Sequence, residues 1–421
     1  MYNIKRVMTL NFNTTLLHGR SKGKSFLGET TTPIFQVNAF SHESPEKLEK
    51  VFNNKASGYA YSRIANPTIA SFENKIAELE HGIGAAACSS GMAAITMTLL
   101  NILSAGDEVI AASGLFGGTI DLFGDLSPFG ITTRFVNHIS VENIEPLITE
   151  KTKAVFGELI GNPALDIVDI EKVSAFLHNK GIPLIIDSTT ATPYLVNPLD
   201  HGADIVVHSS SKYINGSGTA ISGIIVDSGK FNWSADRYPA FSGYEKFGKF
   251  AFLSKLRYGI WRNIGACLSP FNAYLNNIGI ETLGLRMEKA CNTAKQLAKF
   301  FESADGVTVN YPGLPSSPYY ELADKYLGGK GGAILTIRTD SKENAFKLIN
   351  ALKLPLIATN IGDVRTLVIH PYSTIYAHAS REQKINAGVF EDTIRISVGI
   401  EDAEDLIDDF RQAIDITRSE N

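Results

Sequence analysis
The sequence of 421 residues predicts an α/β fold: a larger domain on a mostly parallel central sheet, then a smaller C-terminal α+β domain. Three observations lead there. The chain is too long for one ordinary hydrophobic core. From residue 90 to residue 226, short apolar runs alternate with helix-patterned segments, as in parallel strands covered on both faces. A shorter alternation resumes at residue 333. With 44% hydrophobic and 20% charged residues, the composition is that of a folded globular chain.

Each element has its own reason. Residues 1–62 are rich in Thr, Asn, Ser and Gly and read as an N-terminal arm with at most one short helix, near 45–52. Such an arm buries little of itself, so it is either mobile or packed on a neighbouring subunit. The larger domain is expected over 63–270. Its first helix opens at Asn66-Pro67: Asn66 can cap, Pro67 suits the first turn, and Ile69, Phe72, Ile76 and Leu79 share one face. Gly82 is expected to end it. Strands are predicted at 107–111, 131–136, 153–156, 183–186, 203–207 and 221–226, with helices at 90–103 and 169–180. Residues 228–266 are rich in aromatics, Gly and Lys without a clean period, and read as an insertion. The C-terminal domain, 271–421, follows a linking helix that starts near Pro270 and ends near residue 278. A long helix at 283–302, a strand at 333–338, a helix at 342–352 and a strand at 393–398 come next. The final helix, 403–416, buries Leu406, Phe410 and Ile414, and its acidic first turns suit the helix dipole.

Composition excludes some partners. A net charge of −5 gives no reason to expect nucleic acid or an anionic membrane. Cys88, Cys267 and Cys291 are an odd, scattered set without a Cys-x-x-Cys pair, which suits a reducing cytoplasm. The first eleven residues lack the apolar stretch of a signal peptide, and no apolar run is long enough to span a bilayer. The nine histidines show no metal-binding spacing, so no metal is expected.

The chemistry gathers at two strand ends. Ala203–Val207 runs into His208-Ser209-Ser210-Ser211-Lys212 and a glycine-bearing loop, and Pro183–Ile186 ends in Asp187. In an open α/β sheet, ligands bind beyond the carboxyl ends of the strands, where both residues fall. An amine drawn out of water has a lowered pKa and can attack an aldehyde; an acid can hold a ring nitrogen protonated. Those are the two needs of pyridoxal 5'-phosphate chemistry. Taken singly, Lys212 also reads as a solvated lysine, and Asp187 as a strand-end aspartate common in α/β enzymes. Ser89-Ser90-Gly91-Met92 opens a helix whose free N–H groups favour a phosphate, although a plain serine cap reads the same way. Ser209 and Ser211 offer hydroxyls to the same phosphate. Arg63 suits a phosphate oxygen and Arg395 a substrate carboxylate. Alternation in Ile394-Arg395-Ile396 turns Arg395 away from the apolar face, so each arginine also reads as solvated.

Taken together and in order, these motifs resemble the Cys/Met-metabolism family of pyridoxal phosphate (PLP) enzymes. The resemblance runs from Tyr61-Ser-Arg63-x-x-Asn66-Pro67-Thr68 to Arg395-x-Ser397-x-Gly399-x-Glu401. Within the family it is greatest to O-acetylhomoserine sulfhydrylases, through the segment Gly223–Trp233, Gly265–Asn272, Tyr311–Glu321 and Asn360-Ile-Gly-Asp363. It implies a type I, aspartate aminotransferase-like fold and a homotetramer of catalytic dimers. It implies γ-replacement on O-acetylhomoserine by a sulfur nucleophile, giving homocysteine for methionine biosynthesis; a γ-lyase or cystathionine γ-synthase is the alternative. Acetyl or succinyl as acyl group, and free sulfide, a thiol or a sulfur-carrier protein as donor, stay open. Position by position, it implies that Lys212 bonds the cofactor's aldehyde and Asp187 pairs with the ring nitrogen. Ser90, Gly91, Met92, Ser209 and Ser211 hold the phosphate; Asn162 lies near the ring hydroxyl; Arg395 and Asn360 grip the substrate carboxylate. Tyr61 and Arg63 reach a neighbouring subunit's cofactor, Tyr61 also its substrate. Phe116 stands where the family has a tyrosine stacked on the ring, and it has no hydroxyl to move a proton. Gly118 stands where methionine γ-lyases usually have cysteine, which weakens that reading.

Overall fold
The computed structural model describes residues 10–19, 28–53 and 55–419. The first nine residues of the expected arm, with residues 20–27 and 54, lie outside them. The larger sheet has seven strands: β1 (Gly84–Cys88), β2 (Glu108–Ala112), β3 (Thr132–Val136), β4 (Thr152–Glu158), β5 (Leu184–Asp187), β6 (Ile205–His208) and β7 (Gly223–Asp227). Their order is β1-β7-β6-β5-β4-β2-β3, and only β7 runs against the rest. Every residue of β2, β6 and β7 is buried, as strands covered on both faces require.

To the larger sheet the structure adds one strand that the pattern did not predict, and to the second sheet three, at Thr308–Asn310, Leu356–Ile357 and Leu367–Ile369. Gly84-Ala-Ala-Ala-Cys88 is made of small residues with weak strand preference, and it becomes β1 by pairing residue for residue with β7. The helix Pro67–Leu79 is capped as expected, with Asn66 accepting from the Thr68 N–H at 2.9 Å. Its end differs. His81, not Gly82, takes the left-handed φ of 58°. Gly82 serves packing instead: a Cβ there would stand 2.4 Å from Val226 Cγ1. The arm holds two short helices rather than one, Phe12–His18 and Pro45–Phe52, and Leu16 of the first is buried.

The aromatic segment after β7 packs into the large core through Trp233, Tyr238, Phe241 and Phe252, then forms the helices Ala251–Tyr258 and Ile260–Ile264. Trp233 and Phe241 are stacked, with centroids 4.7 Å apart. A second sheet contains β8 (Thr308–Asn310), β9 (Ile334–Arg338), β10 (Leu356–Ile357), β11 (Leu367–Ile369) and β12 (Thr393–Ser397), ordered β10-β11-β12-β9-β8. The helices Lys342–Ala351 and Ala403–Ser419 enclose its core together with the end of Leu283–Ser303. That long helix joins two cores: Met287 and Cys291 belong to the larger, Ala294 and Phe301 to the smaller. Among the described residues, no helix is long and apolar enough to cross a membrane, and no cluster of three metal-ligating side chains occurs.

Candidate active site
The parallel strands end on one rim, and a cavity of about 510 Å³ opens there, bounded also by residues 359–361 and by Arg395 of the second sheet. Lys212 lies four residues past β6, and Asp187 is the last residue of β5. Both line the cavity, together with Ser90, Gly91, Met92, Phe116, Asn162, Ser209, Ser211, Asn360 and Arg395. Eleven residues singled out from the sequence thus meet, although they are spread from position 90 to position 395.

The electrostatics follow from enclosure. Burial, then the nearby Arg395 charge, holds the Lys212 amine down at about 8. Its Nζ donates to Asn360 Oδ1. Burial pushes the Asp187 carboxyl above the usual carboxylate range, against hydrogen bonds from Thr189. The Thr189 N–H donates to Asp187 Oδ1 at 2.9 Å, and Thr189 Oγ1 accepts from the Ser209 N–H at 2.8 Å. This threonine therefore ties the acid's strand tip to the lysine's strand tip.

Arg395 does not lie on a solvated face, the alternative that its alternation left open. It is 1% exposed, because both faces of β12 are covered and its side chain meets the cavity instead of water. Nη2 donates to the Asn360 carbonyl at 2.8 Å and Nη1 lies 3.4 Å from Asn162 Oδ1, while buried Nε has no partner. Burial lowers its pKa to about 10. A buried guanidinium with an unused donor is suited to an anion.

Ser90 caps the helix Gly91–Ile102, its Oγ accepting the Ala93 N–H at 3.0 Å. The next residue must be small, since a Cβ on Gly91 would lie 2.5 Å from Ser209 Cβ. The hydroxyl of Ser211 is engaged with the Ser222 backbone, accepting at 2.8 Å and donating at 3.0 Å. Phe116 is 38% exposed and lies on the cavity wall. A Cβ on Gly118 would come within 2.8 Å of its ring, so glycine at 118 and this ring position go together.

Tyr61 and Arg63 are not brought in. Arg63 donates to the Arg262 carbonyl at 2.8 Å and lies over the Tyr61 ring, outside the cavity. Glu158, absent from the sequence reading, lines the cavity beside Asp187, its register partner on β5. The clue was faint: a carboxylate that ends an apolar run, four residues before Asn162.

These residues fit pyridoxal phosphate. A partly deprotonated amine, an enclosed acid lacking a cation, a helix N-terminus crossed closely by Ser209 and a buried arginine with a free donor meet in one cavity. The cavity's volume is ordinary for a cofactor or small-molecule site.

Comparison with known proteins agrees. A sulfhydrylase of Gibberella moniliformis is 42% identical over 419 residues, covering 96% of this chain and 97% of its own. The O-acetyl-L-homoserine sulfhydrylase of Leptospira meyeri is 38% identical over 431 residues, with 97% and 98% covered. A solved Campylobacter jejuni structure, described as an O-acetylhomoserine (thiol)-lyase with N'-pyridoxyl-lysine-5'-monophosphate, matches with a TM-score of 0.90. It is 35% identical, over 96% of this chain and 100% of that one. The model of the family "Cys/Met metabolism PLP-dependent enzyme" matches residues 13–415, and the chain belongs to that family.

Proposed function
We propose that this chain catalyses γ-replacement on O-acetylhomoserine by a sulfur nucleophile, releasing homocysteine and acetate in methionine biosynthesis. The observation that carries the reading is one cavity in which Lys212, Asp187 and Arg395 surround the start of the helix Gly91–Ile102. The name and full-length similarity of the Leptospira relative support the choice of substrate.

In this reading Ser90, Gly91, Met92, Ser209 and Ser211 hold the cofactor's phosphate, Ser211 by turning its hydroxyl proton away from the Ser222 carbonyl, while Asn162 lies near its ring hydroxyl and Phe116 covers its ring. Bound there, pyridoxal phosphate supplies an aldehyde for the substrate amine and a ring that takes up electrons from the α-carbon. Asp187 holds a proton on the ring nitrogen, and the cation beside it relieves the penalty that burial places on the carboxylate. Arg395, with Asn360, grips the substrate carboxylate and so orients the α-proton. Lys212 Nζ would take that proton, hand it on to the bound cofactor and, a free base again, take one from the β-carbon; a pKa near 8 leaves part of the amine as free base at neutral pH. The Cγ–O bond breaks, acetate leaves with the electron pair, and sulfur bonds to Cγ. Lys212 returns protons to carbon. Phe116 moves none.

Tyr61 and Arg63 are assigned to a neighbouring subunit's cavity, Arg63 to the phosphate and Tyr61 to phosphate and substrate. Their place outside this chain's own cavity supports that assignment. A homotetramer, with the arm of residues 1–62 crossing between subunits, and a cytoplasmic location complete the reading.

The test is steady-state turnover of O-acetylhomoserine with sulfide, other thiols and carrier-bound sulfur, with products quantified. Homocysteine and acetate in equal amounts are expected with at least one donor. Predominant 2-oxobutyrate and ammonia would reassign the chain to the γ-lyases. Cystathionine from cysteine, without homocysteine from sulfide, would reassign it to the γ-synthases.

A further inference from the structure
Glu158 uses both carboxylate oxygens on backbone. Oε1 accepts the Phe116 N–H at 2.7 Å, and Oε2 accepts the Asn162 N–H at 3.0 Å. The two donors sit on separate loops, one after β2 and one after β4, and both line the cavity. From this geometry we infer that Glu158 is a positioning residue for the reaction, pinning the Phe116 ring wall and the Asn162–Arg395 pair to one rigid strand end.

Three observations carry this. First, Phe116 is the N-cap residue of the helix Gly117–Leu126, and its own N–H finds its acceptor in Glu158 Oε1, on another strand. Second, the Asn162 amide oxygen lies 3.4 Å from Arg395 Nη1, so the carboxylate is one residue removed from the cavity's buried arginine. Third, the loop after β2 is tied again from further along the chain, where the buried Tyr376 hydroxyl donates to the Leu115 carbonyl at 2.7 Å. Only a carboxylate can accept from both N–H groups. Glutamine offers one acceptor and turns a donor toward the other N–H; aspartate is a methylene too short. The arrangement also sets two acids side by side at the ends of β4 and β5. Burial, then the Asp187 charge, pushes the Glu158 carboxyl well above its ordinary range, against the two backbone hydrogen bonds, which favour the ionised form.

The inference rests on the reading that the cofactor occupies this cavity, but not on which acyl group or sulfur donor is used. Its test therefore starts with the cofactor. In holoenzyme carrying Glu158→Gln, the visible circular dichroism of the bound cofactor should change, and its dissociation constant should rise roughly tenfold. With whichever amino-acid substrate the wild type turns over, kcat should fall about 10- to 100-fold. In a Phe116→Ala background the added loss from Glu158→Gln should shrink only in part, because the share exerted through the Phe116 ring is already gone while the share exerted through Asn162 and Arg395 remains. Glu158→Asp keeps the charge and should give the same signature; it serves if the glutamine variant does not fold. Wild-type dichroism and cofactor affinity in both variants, or losses that multiply fully in the Phe116→Ala background, would overturn the inference.

Discussion
The two ends of the seven-stranded sheet bury polar groups on opposite terms. At the amino ends of β4 to β6, partners come from the protein itself. Arg237 donates to the Gly181 and Thr152 carbonyls at 2.8 and 2.9 Å, and Tyr238 donates to Gly181 at 2.9 Å. Asp204 accepts from His178 and from the Leu184 N–H at 2.9 and 2.8 Å. The stacked Trp233–Phe241 pair completes that end. At the carboxyl ends, two cations, Lys212 and Arg395, and two acids, Asp187 and Glu158, share a cavity. Among the described residues, no salt bridge joins them. One end is largely finished by folding, with the buried Asp227 Oδ2 as an exception. The other keeps charges that a ligand of opposite sign must complete, a pattern that marks functional sites.

Four experiments break or sharpen this contrast, from the largest expected effect to the smallest. Lys212→Ala should fold normally by circular dichroism yet lose turnover by on the order of 10³-fold or more. Near-normal rates would remove the site's central group. Trp233→Ala, at the opposite end, should lose about 3–5 kcal/mol of stability in denaturant titration. Its activity per folded molecule should stay near wild type, and a matching loss of specific activity would mean that the two ends are coupled. The third is a pH titration. Only the neutral Lys212 amine attacks an aldehyde, so covalent uptake of pyridoxal phosphate by cofactor-free enzyme should rise with pH to a midpoint near 8 and then level. A midpoint near 10.5, the ordinary lysine value, would place the amine in water.

The smallest effect belongs to the finished end. The Asp204 hydrogen bond raises the pKa of His178 above 6.5, against partial burial. A raised histidine adds stability in full below 6.5 and loses it as pH rises through the folded value. His178→Gln should thus cost about 1 kcal/mol or less at pH 6, discounted for exposure, and still less at pH 8.5. An effect that grows with pH would contradict the assignment.

Much of this was legible beforehand, and the exceptions have physical reasons. The six predicted strands of the large sheet lie within two residues of those observed; most are buried on both faces and so are continuous apolar runs, whereas the largely exposed β3 is not. Lys212 and Asp187 showed themselves by ending such runs. β1 did not, because three alanines carry no strand signal until β7 pairs with them. The first helix of the arm escaped for a related cause: Phe12–His18 is held by contacts such as Phe12 against Tyr194, far along the chain.

What the residue order determined by itself was the alternation of strand and helix, the cap at Ser90 and the placing of an amine and an acid at neighbouring strand ends. These depend on local periodicity and on side chains within a few positions of one another. Tertiary structure alone decided that Arg395 would be buried, that Asn162 and Asn360 would meet it, and that Glu158 would hold two loops at once. Each of those outcomes needs an enclosed space between segments up to 233 residues apart. In such a space water is excluded, and a charge that looks solvated in the sequence must find its partner in the protein or in the ligand.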